Sequence, residues 1–477
     1  MSKWDMRNAV AFTAVGVGVG ILVPFCTMGI SLAVESMLED WAFFSKLSIG
    51  VLGVVCIIPL LYGLVKLGTR KFEFFSPTAI FPLLYFAVFG LGSLGLLARD
   101  NQHIIVILWY AIGGMIFYYM GVVLTGLALN FSKRRETTLR VVSVDWEPYL
   151  VKMLISFLLV IGLSATVYHA WKTGLPIFIP NLEEVRIKVQ QEVSGYVMFL
   201  MRLITPAFFF LLAYGLLYRK VKAVTLILYF LVGIFILLSL GNRHDIFTFI
   251  MVSVIIFNFA GKKVSLSRLF VVLLVGLIFL MSVGFYRLAT LSHSTPEKAF
   301  LIKVAGTDTA RMFVAYMILQ FTVYPANFAT YLETFPRVLP FEWGYSFVRA
   351  VSTIVPGHQE LLDEYVKSSL KLDFLGGGIN PTLLGELYAN FGYVGIVVMS
   401  VYGVVITFLF RKMLETRDGI FVVSYAYGIS CLLLATIGGL FSYFLFFYYV
   451  VVMGFMHLIL KRKRFSEDFI GENSSYK

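Results

Sequence analysis

Residue types able to do chemistry concentrate in the segment 374–395, which reads FLGGGINPTLLGELYANFGYVG. Three glycines give a flexible approach, Asn380 can cap a helix, and Pro381 fits the first helical position. Glu386, Asn390 and Tyr393 recur at i, i+4 and i+7, so one continuous helix would carry all three on one face. A carboxylate, an amide and a phenol on one face of a membrane helix indicate a polar cavity, with an anion site at the helix start. The alternative is a glutamate that only packs helices and pairs with an arginine.

Arginines form a second set. Inserting arginine into the hydrocarbon core costs about 2.5–3.5 kcal/mol, so each of these side chains must find water, a carboxylate or an anion. Together they predict an outward-facing basic surface that an anionic ligand such as a phosphate would explain. The simpler alternatives are a turn in which Arg243 pairs with Asp245, snorkelling of Arg287 to the interface, and solvated loop residues. The set comprises Arg243 in GNRHD, Arg287, and Arg311, Arg337 and Arg349 with His358.

Composition shows which elements must position these residues. The chain has 477 residues, of which 59% are hydrophobic and 14% charged, against about 45–50% and about 25% in soluble domains. An ordinary soluble enzyme, a disordered chain and a disulfide scaffold are thereby excluded. Basic clusters fall on every second connection between apolar runs, which places both termini in the cytoplasm. The net charge of +12 therefore reflects membrane orientation, and nucleic acid is not an expected partner.

Apolar runs predict an all-α polytopic membrane protein with about twelve transmembrane helices and a large extracytoplasmic loop of short helices. Residues 1–287 would hold nine spans and an outer loop near 170–195, 288–380 the large loop, 381–464 three spans, and 465–477 a cytoplasmic tail. Within the large loop, the apolar stretch interrupted by Pro325 is interpreted as surface or re-entrant helices. The predicted spans are 9–31, 42–65, 78–98, 104–131, 149–169, 196–218, 223–240, 246–260, 269–287, 382–410, 420–439 and 442–460.

Motifs for nucleotide or metal chemistry are missing from the sequence. It contains no P-loop, no dinucleotide fingerprint, no H-E-x-x-H and no D-x-D. We therefore expect neither a cofactor nor a metal, and neither an ATP-driven pump nor a metal hydrolase.

Five stretches, KTGLPIF, NLEEVR, LGNRHD, VLPFEWGYSFVRAVSTIVPG and GGGINPTLLGELYANFGYVG, resemble the O-antigen polysaccharide polymerases of the Wzy type. The resemblance covers roughly 170–400. It implies an enzyme that joins undecaprenyl-diphosphate-linked oligosaccharide repeat units at the outer face of the bacterial cytoplasmic membrane. Its partners would be the lipid-linked donor and acceptor, membrane lipid and a chain-length regulator.

The resemblance also implies that arginines in outer loops hold the diphosphate. The acceptor hydroxyl would need a base, and Glu386 and His358 are the candidates by their positions in the sequence. The expected diphosphate ligands are Arg243, Arg287, Arg311 and Arg349, and the expected glycan-binding or supporting residues are Arg186, Asn380, Tyr388 and Asn390.

Two other functions stay open. An O-antigen ligase uses the same class of substrate, although GELYANFG favours the polymerase. A lipid-linked oligosaccharide flippase or other transporter would need a polar path through both halves of the spans, and the first five apolar runs carry few interior charges.

Overall fold

The computed structural model describes most of the chain, and every regular element in the described part is helical. The described residues are 41–71, 73–97, 103–133, 146–174, 194–218, 221–240, 243–261, 308–353, 360–372, 378–416, 418–440 and 445–462, with isolated positions between 263 and 306.

The α-helices are numbered here in chain order. The Phe86–Leu91 segment is a π-helix between α2 and α3, and Gly392–Val397 is a 3₁₀-helix between α13 and α14. The α-helices are α1 (Trp41–Lys71), α2 (Ile80–Tyr85), α3 (Ser93–Leu97), α4 (Ile104–Lys133), α5 (Pro148–Thr173), α6 (Gly195–Arg202), α7 (Ile204–Tyr218), α8 (Ala223–Ser239), α9 (Arg243–Ala260), α10 (Thr309–Thr334), α11 (Tyr345–Ser352), α12 (Leu362–Ser369), α13 (Thr382–Phe391), α14 (Val398–Thr416), α15 (Gly419–Gly438) and α16 (Leu445–Arg462).

Long apolar helices make the chain a multi-pass membrane protein. Seven helical segments of the described part are long and apolar enough to cross a membrane, and four apolar helices are shorter. Twelve spans were predicted. The run 9–31 lies outside the described residues, the run 269–287 is described only at isolated positions, and the other ten coincide with helices. The polytopic helical class is confirmed, and the number of spans stays a prediction.

The stretch around Pro325 departs from expectation. Surface or re-entrant helices rather than a span were predicted there. Instead, α10 is one helix of 26 residues with a buried Pro325 inside it, and it is one of the seven segments long and apolar enough to cross a membrane. Proline removes one N–H and leaves the carbonyl of the residue four positions earlier without a helical donor. This carbonyl belongs to Phe321 and lies against Gly92, and a side chain at position 92 would overlap it. Close packing at this point therefore lets the helix continue through the proline.

The chain divides into two compact units. Unit 1 comprises 1–140, 301–411 and 431–444. Within it, α4 and α14 approach until their backbones touch, because Gly121 faces the Ser400 carbonyl and Gly403 faces the Tyr118 carbonyl. Small residues allow such approach between membrane helices, where packing rather than hydrophobic exclusion drives association. Unit 1 also holds α10, α11, α12 and α13, and therefore the segment that carries Glu386.

Unit 2 comprises 141–300, 412–430 and 445–477. Its core includes Trp146, whose Nε1 donates to Asp418 Oδ1 at 3.2 Å and whose ring lies against Phe210 and Tyr218. A buried tryptophan usually keeps a hydrogen-bond acceptor for its indole N–H, and Asp418 is that acceptor here. This contact fixes the start of α5 to the connection between α14 and α15.

Candidate functional site

Helix α13 carries Glu386 and Asn390, two of the polar residues predicted from the sequence, and it is buried from Thr382 to Asn390. It begins at Thr382, one position after Pro381, and the Thr382 hydroxyl accepts the Gly385 N–H at 3.2 Å. The expected cap Asn380 is half-buried and lies outside the helix. Thr382 has φ of 59°, a left-handed conformation that a β-branched residue rarely adopts and that costs about 1–3 kcal/mol. The surrounding packing must therefore hold this helix start in place.

The shared face of Glu386, Asn390 and Tyr393 is only partly confirmed. Glu386 and Asn390 are both fully buried, but α13 ends at Phe391 because Gly392 adopts φ of 59°. Tyr393 belongs to the following 3₁₀-helix and is exposed. The prediction assumed one continuous helix, and a glycine in the left-handed region breaks it. Tyr393 therefore does not belong to the buried polar face.

The Glu386 carboxylate binds the backbone just after the end of α15. Its Oε2 accepts the Leu440 N–H at 2.6 Å. Gly439 has φ of 79°, and a Cβ on it would lie 2.8 Å from Pro381 Cγ and 3.1 Å from Glu386 Oε1. A carboxylate that accepts a backbone N–H makes a charge-assisted bond, about twice as strong as a neutral one. Glu386 thus joins the end of α15 to α13.

Asn390 forms hydrogen bonds with the turn that precedes α11. Its Oδ1 accepts the Gly344 N–H at 2.9 Å, and its Nδ2 donates to the Glu386 carbonyl at 2.7 Å and reaches Ser346 Oγ at 2.7 Å. The Trp343 N–H adds a bond to the Asn390 carbonyl at 3.0 Å. Every polar atom of the buried amide therefore has a partner, as a buried amide requires. Asn390 therefore connects α13 to the turn before α11.

The Arg349 side chain is surrounded by polar and aromatic groups next to this turn. Its Nε is 3.3 Å from Glu342 Oε2, and its guanidinium carbon lies 5.0 Å and 4.1 Å from the ring centroids of Tyr345 and Tyr365. Its Nη1 reaches the Glu360 carbonyl at 3.4 Å. Cation–π contacts of this kind contribute about 0.5–2 kcal/mol each. The predicted diphosphate ligand is therefore already paired and covered in this structure.

Asp363, in the first turn of α12, is an ionisable residue that the sequence analysis did not single out. Its Oδ1 is buried and accepts no hydrogen bond from the described residues. Its carbonyl accepts the Ile379 N–H at 3.1 Å, and the Tyr331 hydroxyl donates to the Ile379 carbonyl at 2.8 Å. Asp363 therefore lies beside the entry to α13. The acidic pair Asp363–Glu364 is visible in the sequence, but which carboxylate is buried depends on the chain folding back at Gly378.

The environment of Asp363 changes its acidity. Burial, and after it the charge of Glu364, raise the pKa of the Asp363 carboxyl from 3.8 to about 6, against the opposing effect of nearby backbone N–H groups. A carboxyl with a pKa near neutrality can accept a proton in a transition state more effectively than an ordinary aspartate. Perturbed groups of this kind are enriched in functional sites.

The remaining predicted residues are placed as follows. Tyr388 is buried, its hydroxyl donates to the Phe335 carbonyl at 3.3 Å, and its ring meets that of Phe341. The Arg311 side chain is 79% exposed and lies 3.5 Å from Asp308, the residue that caps α10. Arg311 and Arg349 belong to unit 1, whereas Arg243 and Arg287 belong to unit 2. Outside the described residues lie Arg186, Arg287, His358 and the side chain of Arg243.

The GNRHD segment also differs from the predicted turn. Helix α9 begins at Arg243, and Asp245 lies in its first turn. Asp245 Oδ2 accepts a bond from Arg202 Nε at 2.8 Å, and both side chains are buried. A carboxylate is favourable near a helix N-terminus, but the pairing with Arg202, 43 positions earlier, cannot be read from local spacing. Arg202 is therefore a buried cation that the sequence reasoning missed.

Within the described part of the chain, no three or more His, Cys, Asp or Glu side chains are grouped as they would be around a metal ion.

Comparison with known proteins identifies the family. The sequence model of the O-antigen polymerase family matches residues 73–324, slightly more than half of the 477 residues. The match covers α2 to α9 and the first part of α10, and the polar helix α13 lies beyond it. Searches of curated proteins and of solved structures gave no match. The resemblance inferred from the five short stretches is confirmed, and the chain belongs to the O-antigen polymerase family.

Proposed function

We propose that this protein joins oligosaccharide repeat units, each carried on undecaprenyl diphosphate, into a polysaccharide at the outer face of the bacterial cytoplasmic membrane. The observation that carries the proposal is the family match over residues 73–324, which supports a polymerase role in polysaccharide assembly. The apolar helices support catalysis within a membrane, where a lipid-linked substrate resides. Both termini would be cytoplasmic, as the distribution of basic residues predicts.

The reaction needs no nucleotide because the donor is already activated. An acceptor sugar hydroxyl attacks the anomeric carbon of the donor glycan, a new C–O bond forms, and the bond to the diphosphate breaks. The diphosphate leaves with the bonding electron pair, and the hydroxyl proton passes to a base. The protein must therefore supply cationic groups for the leaving group and a proton acceptor.

For the leaving group, the proposed ligand in unit 1 is Arg311. Arg243 and Arg287, which belong to unit 2, stay predictions from the sequence. The exposure of Arg311 supports its part, since its guanidinium is open to a ligand from solvent. Arg349 is a weaker candidate, because Glu342 and two tyrosine rings already surround it. Arg349 would have to leave these partners before it could bind a diphosphate.

For the proton acceptor, the candidates are Asp363, Glu386 and His358. The contacts of Glu386 favour a positioning role, because its Oε2 accepts the Leu440 N–H and the side chain is fully buried. Asp363 combines a carboxylate oxygen without a hydrogen-bond partner in the described residues with a pKa of about 6. We therefore place Asp363 first among them, and His358 follows because it is only five positions away in the sequence.

Deleting the gene in its own host tests the proposal. A polymerase deletion should replace the ladder of surface glycans with a species carrying a single repeat unit, and a plasmid copy should restore the ladder. A ligase deletion would instead leave full-length polymer on its lipid carrier. A flippase deletion would trap single units on the cytoplasmic leaflet, and either of these outcomes would contradict the proposal.

A further inference from the structure

Helix α11 has its polar and apolar sides reversed relative to a helix on the surface of a soluble protein. Ser346 and Ala350 face inwards and are buried, and Arg349 is held against Glu342. The outward residues are Tyr345, Phe347, Val348 and Val351, all exposed and none of them charged. A helix at a water-exposed surface normally directs its apolar stripe towards the core and its polar residues outwards.

Helix α12, in the same connection between α10 and α13, shows the ordinary arrangement. Its buried residues are Leu362 and Val366, and its surface carries Glu364, Lys367 and the exposed Ser368. The two helices have the same length of 8 residues and lie ten positions apart. The exposed apolar side is therefore a feature of α11 and not of the whole connection.

The exposed apolar surface of α11 lies next to other exposed apolar residues. Trp343, immediately before α11, is 74% exposed, and its ring contacts Phe341, which in turn contacts Tyr388. Tyr388 contacts Tyr393 in the 3₁₀-helix, where Val394 is 72% exposed. The exposed Val397 ends this 3₁₀-helix. Beyond it, one exposed apolar stripe continues along α14 and consists of Val401, Val404, Val405 and Phe408.

The stripe on α14 indicates what covers this surface. Helix α14 belongs to a candidate membrane-spanning segment, and its 19 residues correspond to about 28 Å, close to the thickness of the hydrocarbon core. A valine-rich stripe exposed on such a helix faces lipid tails. Tryptophan and tyrosine concentrate where the tails meet the headgroups, and Trp343, Tyr345 and Tyr393 lie at the end where α14 begins.

We propose that α11 is an interfacial membrane helix whose apolar face, together with Trp343, lies in the lipid bilayer at the membrane face where α14 begins. An amphipathic helix in this position lies parallel to the membrane with its apolar side inserted to about 5–10 Å. Bonds from Asn390 to Gly344 and Ser346 hold α11 against α13. The buried polar residues Glu386 and Asn390 are thereby fixed at the level of the lipid headgroups. This inference does not depend on the proposed reaction.

Spin labels attached to single cysteines test the proposal in the full-length protein. Cys26, Cys56 and Cys431 are first replaced by alanine, and the protein is reconstituted in phospholipid nanodiscs. Labels at Val348→Cys and Val351→Cys should collide more often with oxygen, which dissolves in lipid, than with a water-soluble nickel chelate. The matched control is Ser368→Cys on α12, where the nickel chelate should collide more often. Equal nickel accessibility at positions 348 and 368 would overturn the proposal.

A second measurement leaves the cysteines in place and does not require a label. Lipids brominated near the headgroup end of the acyl chain quench tryptophans at that depth, and the Trp343→Phe difference isolates the signal of Trp343 from those of the other tryptophans. We expect brominated lipid to reduce the difference in fluorescence between the wild-type protein and Trp343→Phe. A difference of the same size in brominated and unbrominated lipid, with both proteins eluting as folded monodisperse species, would also reject the interfacial location.

Discussion

Glu386→Gln separates a positioning role of this residue from a catalytic one. The Glu386 carboxylate is fully buried and accepts the Leu440 N–H at 2.6 Å. Glutamine has the same shape, and its amide oxygen can accept the same N–H. The substitution therefore removes the charge and the ability to take up a proton, but it keeps the connection between α13 and the end of α15.

The structure gives the size of the expected effect. A hydrogen bond to a charged group contributes about 1.5–3 kcal/mol and a neutral one about 0.5–1.5 kcal/mol, so glutamine should cost about 1 kcal/mol. Removing a buried negative charge offsets part of that loss. Glu386→Ala should lower the stability more. It leaves the Leu440 N–H buried without an acceptor, which costs about 1–3 kcal/mol, and it also creates a cavity.

Thermal stability of the detergent-solubilised protein and polymer formed per folded molecule are the two readouts. For a positioning role, Glu386→Gln should lower stability slightly and keep most of the activity, whereas Glu386→Ala should lower the amount of folded protein. Gly439→Ala should destabilise the same contact, because its Cβ would approach Glu386 and Pro381 in a left-handed conformation. The control is Gly438→Ala, which meets nothing within 4 Å. A Glu386→Gln protein that folds normally, binds substrate and forms no polymer would refute the reasoning and identify Glu386 as the base.

Three further predictions concern other buried polar groups. The pKa of Asp363 is raised to about 6, so between about pH 4 and 6 the folded state holds a proton that the unfolded state releases. The free energy of unfolding should therefore fall as pH rises through this range, by at most about 3 kcal/mol. Asp363→Asn should abolish this pH dependence in thermal melts and, if Asp363 is the base, should also abolish polymer formation. Arg202→Met removes the Arg202 guanidinium from the buried Asp245 carboxylate and should cost about 3–5 kcal/mol in melts, with recovery in the Arg202→Met, Asp245→Leu double variant. Asn390→Ala should release the turn before α11, seen as faster proteolysis within 341–353, while Asn390→Asp should fall between alanine and wild type.

The sequence predicted the helices well because hydrophobic runs between charged breaks determine them. Breaks inside those runs were harder to predict. Gly392 ends α13 and excludes Tyr393 from the polar face, whereas Pro325 does not end α10. A glycine or proline interrupts a helix or is accommodated according to what packs against it, and that information is not local in the sequence.

The candidate site was predictable in its residue types and not in its pairings. Glu386 and Asn390 were recognised from their spacing on one helix. The pairing of Arg349 with Glu342 depends on the turn at Trp343 and Gly344. The buried state of Asp363 depends on the chain returning at Gly378. Tertiary contacts of this kind decide which of several ionisable side chains are available to a substrate.

Polymer formation by the purified protein tests the central claim most directly. The protein in nanodiscs receives one lipid-linked repeat unit, without nucleotide sugar or ATP, and products are separated by length. We predict a ladder of glycans in which each added unit releases one undecaprenyl diphosphate. A single transfer to a different acceptor lipid without a ladder, or movement of the unit across a bilayer without any new glycosidic bond, would contradict the account.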